Sequence, residues 1–235
     1  MKYVASNSNG KDSLWMILEL IRRKYPLDAV LFFDTGKEFQ AIYDTWERVK
    51  QILDENNVKW DVIKPEYDFD YLAFEKPVNT KDGSEKNGYS WCGGVCRWMT
   101  TQKVKAIKNY YKEHFQDEVI VEYVGIAADE LERVEVKRSK DTIKMYPLIL
   151  WGYTENDCFV GCYKAGFDWK ENDVSLYQIL DRVSCWCCGN KNLKELENIY
   201  NYLPEYWEKL KEMQSKTSIP FKKYGSIDEL EERFK

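Results

Sequence analysis

The sequence predicts an α/β fold, a parallel sheet with helices on both faces, and three observations carry that prediction. Short apolar runs recur along the first 124 residues: Tyr3-Val4-Ala5, Ala29-Val30-Leu31-Phe32-Phe33 and the stretch from 119 to 124. Between them lie segments of helical period, Leu14, Ile17, Leu18 and Ile21 on one face, then Ile42, Tyr43, Trp46, Val49 and Leu53 on another. Strand and helix thus alternate at the spacing of βαβ units, whose parallel strands need a crossover helix.

The first run leads into Ser6-Asn7-Ser8-Asn9-Gly10-Lys11-Asp12-Ser13, a loop of small polar residues that enters the first helix directly. Such an arrangement points backbone N–H groups and the positive helix end at an anion. Small residues admit phosphate oxygens, Lys11 adds a full charge, and the hydroxyls of Ser6, Ser8 and Ser13 add donors. A polar turn with Ser8 as helix cap is the alternative. Two common phosphate loops do not fit. Ala5 stands where G-x-x-x-x-G-K-[ST] needs a glycine, and G-x-G-x-x-G is absent.

The second run reads as a buried strand that ends in Asp34-Thr35-Gly36. Ligands of open α/β sheets sit beyond the carboxyl ends of the strands. Asp34 is therefore a candidate acceptor for a ribose or adenine group, with a helix cap beside a turn as the alternative, and Gly36 permits close approach. Asn56-Asn57 closes the second helix and Val58 to Ile63 reads as a third strand. Residues 64 to 95 are polar and carry glycines at 83, 88, 93 and 94, which predicts a lid or binding loop. Residues 97 to 114 follow as a helix, with Val104, Ile107 and Tyr111 on one face. Its basic residues, Arg97, Lys103, Lys105, Lys108 and Lys112, form a solvated surface or a track for a phosphate backbone.

The strand at 119 to 124 ends in Gly125-Ile126-Ala127-Ala128-Asp129-Glu130. Asp129, Glu130 and Arg133 are candidates for magnesium or phosphate contacts. A short helix is expected at 155 to 165, carrying Cys158 and Cys162. A long helix follows from 193 to 213, broken or kinked at Pro204. Ser226-Ile227-Asp228-Glu229 is a capping-box pattern that opens a last helix.

The bulk composition bounds the function. The 235 residues are 44% hydrophobic and 32% charged, as in a soluble globular protein with a full core. No run of about 18 apolar residues occurs, so no membrane span is expected. The chain enters its first strand at once, which leaves no room for a signal peptide and predicts a cytoplasmic protein. A net charge of −5 argues against a general nucleic-acid binder. The single histidine, His114, leaves histidine-based triads without material.

Seven cysteines, an odd and clustered set, favour thiolate chemistry over a disulfide framework. Cys185 and Cys188 form C-x-x-C with Cys187 between them, and Cys92-Gly93-Gly94-Val95-Cys96 is a second close pair. Two such pairs can supply four thiolates to zinc or to an iron–sulfur cluster, with Cys162 as a substitute ligand. Sulfur-relay or dithiol chemistry and buried structural cysteines are the alternatives for the same residues.

Several segments in one order carry a resemblance. Gly10-Lys11-Asp12-Ser13 resembles the pyrophosphate loop, S-x-G-G-x-D-S, of the adenine nucleotide alpha-hydrolase enzymes, with Asn9 in place of the first glycine. Next come Phe32-Phe33-Asp34-Thr35-Gly36-Lys37-Glu38-Phe39, then Cys96-Arg97-Trp98 with Lys103, then residues 125 to 130. Pro147-Leu148, Trp151, Glu155-Asn156-Asp157 and the late C-x-x-C complete the series. Together they resemble the phosphoadenosine phosphosulfate (PAPS) reductase family within that superfamily, over roughly residues 1 to 190. The resemblance implies a Rossmann-like sheet that binds an adenine nucleotide at the first loop. It implies a nucleotide-binding α/β domain at residues 1–150 and a cysteine-containing, mainly helical region at 151–235 packed on it. ATP-using relatives split the α–β bond to leave pyrophosphate and an adenylated substrate, whereas reductase members reduce a sulfonucleotide with a thiol nucleophile. Some members hold a [4Fe–4S] cluster between an early and a late cysteine pair, and Cys92 or Cys96 with Cys185 and Cys188 match those positions. The sequence departs from the pattern in three further places. No cysteine follows Cys188, Ala127 stands where many members have arginine, and Gly189 stands where proline often follows the C-x-x-C.

Three functional readings follow. In the first, an enzyme binds ATP and Mg²⁺, adenylates an acceptor and supports sulfur transfer or thiolation. Lys11, Asp12 and Ser13 would be catalytic. Ser6, Ser8, Gly10, Asp34, Thr35, Gly36, Gly125, Asp129, Glu130 and Arg133 would help to hold the nucleotide and its metal. The acceptor would be a small molecule or a nucleic acid, with a sulfur-donor protein and a homodimer as expected partners. The second reading is a sulfonucleotide reductase or sulfotransferase. The third is a non-catalytic nucleotide- or nucleic-acid-binding module with structural zinc.

Overall fold

The computed structural model describes residues 1–91, 96–134 and 141–235, and for residues 97–99 the backbone alone. In chain order the elements are β1 (Lys2–Asn7), α1 (Lys11–Arg22), β2 (Ala29–Phe33), α2 (Gln40–Glu55) and β3 (Lys59–Ile63), then a π-helical turn at Tyr71–Glu75. The hairpin of β4 (Pro77–Asn79) and β5 (Glu85–Asn87) leads to α3 (Arg97–His114), β6 (Ile120–Val124) and β7 (Thr142–Met145). Helices α4 (Pro147–Trp151) and α5 (Glu155–Lys164) follow, then the short pair β8 (Lys170–Glu171) and β9 (Val174–Ser175) with α6 (Leu176–Ile179). The chain closes with α7 (Leu193–Tyr202), α8 (Pro204–Ser215) and α9 (Ile227–Phe234).

These elements fall into two units. The first comprises Met1–Asp34, Gln40–Lys64 and Lys105–Trp169; the second comprises Thr35–Phe39, Pro65–Val104 and Lys170–Lys235.

The first unit is built on a five-stranded sheet in the order β3-β2-β1-β6-β7, with every pairing parallel. All five residues of β2 are buried, as a strand covered on both faces requires. Phe32 packs on Tyr43 and Trp46 of α2, with ring centroids 6.3 and 5.4 Å apart. Glu122, which faces the opposite side of the sheet from Tyr123, lies within electrostatic reach of Tyr111 on α3. Helices thus cover both faces, in agreement with the fold class read from the alternating segments.

The stripe of Leu14, Ile17, Leu18 and Ile21 understates how deeply α1 is buried. Met16 and Leu20 are fully buried too, whereas Leu18 is half-buried. Helix α5 packs on α1. A Cβ added at Gly161 would sit 2.7 Å from the Trp15 ring, so only glycine lets the indole lie there.

The second unit includes residues 65–91 of the stretch read from sequence as a lid or binding loop. Leu72, Ala73 and Phe74 of the π-helical turn are buried, and the β4–β5 hairpin follows. Gly88, with φ +68°, lies so close to this turn that a Cβ there would fall 2.0 Å from the Ala73 carbonyl oxygen. The charged residues of this stretch mask a short apolar core. Pro204 does break the long helix, as expected, by opening α8 one residue after the end of α7. Ser226 caps α9 through the capping box that its sequence announces.

Candidate functional site

The strand order places the site. The chain steps from β1 outward to β2 and β3, then returns to lay β6 and β7 on the other side of β1. The carboxyl ends of β1 and β6 therefore flank the point where the winding direction reverses, and a crevice opens at such a point. Ser6 pairs with Val124 there, so the loop after β1 and Gly125 leave the sheet side by side.

Gly125 is fixed by this closeness. A Cβ on it would meet the Ser13 Cα at 2.8 Å and the Ser13 nitrogen at 2.9 Å. The first turn of α1 thus rests directly on the end of β6. Gly10 is the N-cap of α1, with extended backbone (φ −80°, ψ 167°) and no side-chain cap, so Ser8 does not cap the helix. The first intrahelical bond runs from Leu14 N–H to the Gly10 carbonyl at 3.0 Å. The amides ahead of Leu14 are those a helix end presents to an anion.

Inside the loop the side chains brace one another. Asn7 Oδ1 accepts from the Asn9 N–H (2.9 Å) and from Ser13 Oγ (3.1 Å), and Asn7 Nδ2 donates to Asn9 Oδ1 at 2.5 Å. Ser13 Oγ accepts from the Ser8 N–H at 3.1 Å and lies 3.0 Å from Ser8 Oγ. Trp169, almost fully buried, donates its indole N–H to the Asn9 carbonyl at 2.7 Å. Asn9 itself has φ +56°, in the left-handed region. This accounts for the departure from the double glycine, because asparagine is among the few residues that tolerate this conformation. Asn7 and Trp169 were missed from sequence. Asn7 stands in the loop as one small polar residue among several, and Trp169 is 160 residues from its partner.

Charge gathers beside the loop. A carboxylate oxygen from each of Asp12, Glu130 and Glu155 lies within 4.8 Å of the others. Lys11 Nζ reaches Asp12 Oδ1 at 3.0 Å and Glu155 Oε1 at 3.2 Å, and Arg133 pairs with Glu130. Burial pushes the Asp12 carboxyl above the usual range, with Lys11 opposing and the other two carboxylates reinforcing the rise. Three clustered carboxylates are a hard-oxygen donor set of the kind that suits Mg²⁺. Asp129 sits at the rim, where its Oδ1 accepts from the Glu155 N–H at 3.0 Å and so holds the start of α5. Glu155 was quoted from sequence only as part of a motif, and the α1–α5 packing is what brings it to Asp12. Ala127 is fully buried.

Cys162, offered from sequence as a metal ligand, lies in this same unit. It is buried in α5 and donates from Sγ to the Lys11 carbonyl at 3.3 Å. Burial pushes the thiols of Cys158 and Cys162 far up, with Asp12 adding to the rise. Asp34 ends β2 and accepts from the Tyr43 hydroxyl at 2.8 Å.

The second unit holds a separate cluster around Thr35. Thr35 Oγ1 donates to Glu38 Oε1 at 2.7 Å and lies 3.4 Å from Cys185 Sγ, whose thiol is 3.5 Å from the same Glu38 oxygen. Gly36 has φ +72°, which favours glycine, and the space where a Cβ would sit is open. The Trp186 N–H donates to the Lys37 carbonyl at 3.0 Å, and the Cys188 N–H closes the C-x-x-C turn on the Cys185 carbonyl at 3.0 Å. Burial pushes the thiols of Cys185 and Cys187 well up. Lys191, 2% exposed, sits beside them, and its burial lowers its pKa against the pull of Glu195 and the three thiols. Two thiols on one turn beside a buried ammonium suit a soft metal or cluster, because the cation offsets thiolate charge. Cys96 stands just ahead of α3, and Cys92 lies outside the described residues. The described cysteines are all free thiols.

An open parallel sheet with a braced loop and an uncapped helix at its switch point defines the class of molecule, an α/β protein of the doubly wound kind. A family model for the phosphoadenosine phosphosulfate reductase domain matches residues 2–159, which contain all five strands of the sheet. The chain belongs to that family. An uncharacterized protein of Methanocaldococcus jannaschii is 27% identical over 210 residues, 86% of this chain and 39% of its own length. The chain therefore spans about two fifths of that relative. Among the described residues, no helix is long and apolar enough to cross a membrane.

Proposed function

We propose that the chain binds ATP with Mg²⁺ at the loop after β1 and cleaves it between the α and β phosphates to adenylate an acceptor. The observation that carries this reading is the carboxylate trio of Asp12, Glu130 and Glu155 beside the uncapped start of α1. Three carboxylates would repel a bare polyphosphate, and Lys11 and Arg133 beside them temper that repulsion. A divalent cation reconciles the acidic trio with the anion site.

The acceptor's nucleophilic oxygen attacks the α phosphorus. A bond forms there, the bond to the bridging oxygen of the β phosphate breaks, and pyrophosphate leaves with the electron pair. The α1 amides and Lys11 stabilise charge on the departing pyrophosphate, as fixed dipoles aimed at developing charge do. Asn7 and Ser13 hold the loop in register for this. When bound to the trio, Mg²⁺ supplies a Lewis acid that neutralises phosphate charge. The cysteine turn of the second unit would hold a cluster or zinc at Cys185 and Cys188.

The test is product analysis. ATP labelled at the α phosphate, supplied with Mg²⁺ and a small-molecule cell extract as acceptor source, should give AMP-containing products and pyrophosphate. Production of ADP would sink the mechanism. Sulfite release from phosphoadenosine phosphosulfate with a thiol donor would favour the reductase reading.

A further inference from the structure

The fold leaves the side chain of Asn9, in this loop, half used. It is fully buried, yet its Nδ2 has no hydrogen-bond partner. The neighbouring bonds fix which atom this is. Asn7 Oδ1 takes two donors, the Asn9 N–H at 2.9 Å and Ser13 Oγ at 3.1 Å. Asn7 must then turn its Nδ2 toward Asn9, which answers with Oδ1 at 2.5 Å. Every other polar group of Asn9 that could relax the arrangement is engaged, since its carbonyl takes the Trp169 indole N–H at 2.7 Å. The amide nitrogen is left facing no acceptor, one residue before the uncapped N-terminus of α1.

A buried donor without an acceptor is costly, and native folds keep few of them. Here the cost falls on a residue that also holds a left-handed backbone at φ +56°. A glycine would serve that backbone without an orphan donor. Two unfavourable features at one position of an anion-binding loop point to a ligand that relieves one of them.

We propose that the Asn9 carboxamide is a phosphate ligand: on nucleotide binding, Asn9 Nδ2 donates to a non-bridging phosphate oxygen, which supplies the missing acceptor. This rests on the nucleotide reading above and adds to it a contact that no glycine could make. Because Nδ2 is closed to solvent in the nucleotide-free fold, the contact forms with a local shift of the loop. Trp169 and Asn7 limit how far that shift goes.

The test is ATP binding by titration calorimetry, with Mg²⁺ present, for the wild type, Asn9→Gly and Asn9→Asp. Asn9→Gly keeps the left-handed backbone and removes the donor, and it should weaken ATP about 10- to 100-fold, the range for a hydrogen bond to a charged group. Asn9→Asp keeps the shape and the bond from Asn7 but places a carboxylate at the phosphate, and it should lose binding further. Circular dichroism establishes that each variant is folded. The side-chain amide resonance of Asn9 in the ¹⁵N spectrum, identified by its loss in Asn9→Gly, should move when ATP is added. A wild type that binds ATP, together with a folded Asn9→Gly within twofold of it and an unmoved amide resonance, overturns this contact and leaves the nucleotide reading intact. A wild type that binds no adenine nucleotide overturns both.

Discussion

At the scale of single residues, Glu19 is the best-defined electrostatic contributor. It is 1% exposed, and Arg22, Arg23 and Tyr153 all donate to its carboxylate, at 2.6 to 2.9 Å. The Arg22 hydrogen bond leads in holding its pKa down at about 2, against the opposing effect of burial. A carboxylate whose pKa is depressed on folding stabilises the protein above its unfolded value, near 4.5, and loses that contribution as pH falls toward 2. At neutral pH the contribution is on the order of 2–3 kcal/mol once exposure of the arginines is allowed for. Urea titration of Glu19→Gln at pH 7 should reveal that deficit, and it should shrink steadily between pH 4.5 and 2. A deficit independent of pH would assign the role of Glu19 to packing instead. Asn9 belongs to this scale as well. Its identity is visible in the sequence, but its left-handed backbone and its unpaired amide are not, because both depend on the partners that surround it.

At the scale of elements, one contact shapes the candidate site. The start of α1 rests on Gly125 at the end of β6, with the Ser13 backbone within 2.9 Å of where a Cβ would be. Gly125→Ala should force that turn outward and cost about 1–3 kcal/mol, the range for overpacking. It should also weaken ATP binding, so a calorimetric melt and a binding titration check it together. An alanine variant with unchanged melting temperature and affinity would mean that the turn yields freely. In the second unit, the C-x-x-C turn predicts bound metal. Protein purified without oxygen should contain iron or zinc, and Cys185→Ser with Cys188→Ser should remove it, as elemental analysis would reveal. Much of this scale was legible in the sequence. Strands β1, β2 and β6, the helices after the first two, and the break at Pro204 follow from apolar runs, helical period and proline chemistry. Strand β7 was not legible, because Thr142–Met145 is a short edge strand with Ile143 half exposed and no apolar run. The buried turn at Tyr71–Glu75 was hidden by the charged residues around it. The carboxylate trio was legible only in part. Asp12 and Glu130 follow β1 and β6 closely in sequence, whereas Glu155 arrives through the packing of α5 on α1.

At the scale of the whole molecule, we propose that a parallel sheet with its switch point at β1 and β6 presents one nucleotide site. The measurement that tests it most directly is the thermal stability of the protein with and without ATP and Mg²⁺, for the wild type and for Lys11→Ala. Ligand at about 100 times its dissociation constant stabilises by roughly 2.7 kcal/mol, a rise of a few degrees in melting temperature for a chain of this size. That rise is expected for the wild type, to its full extent only with Mg²⁺, and its loss is expected in Lys11→Ala. An unchanged melting temperature in the wild type, or a full rise in Lys11→Ala, would contradict the proposal.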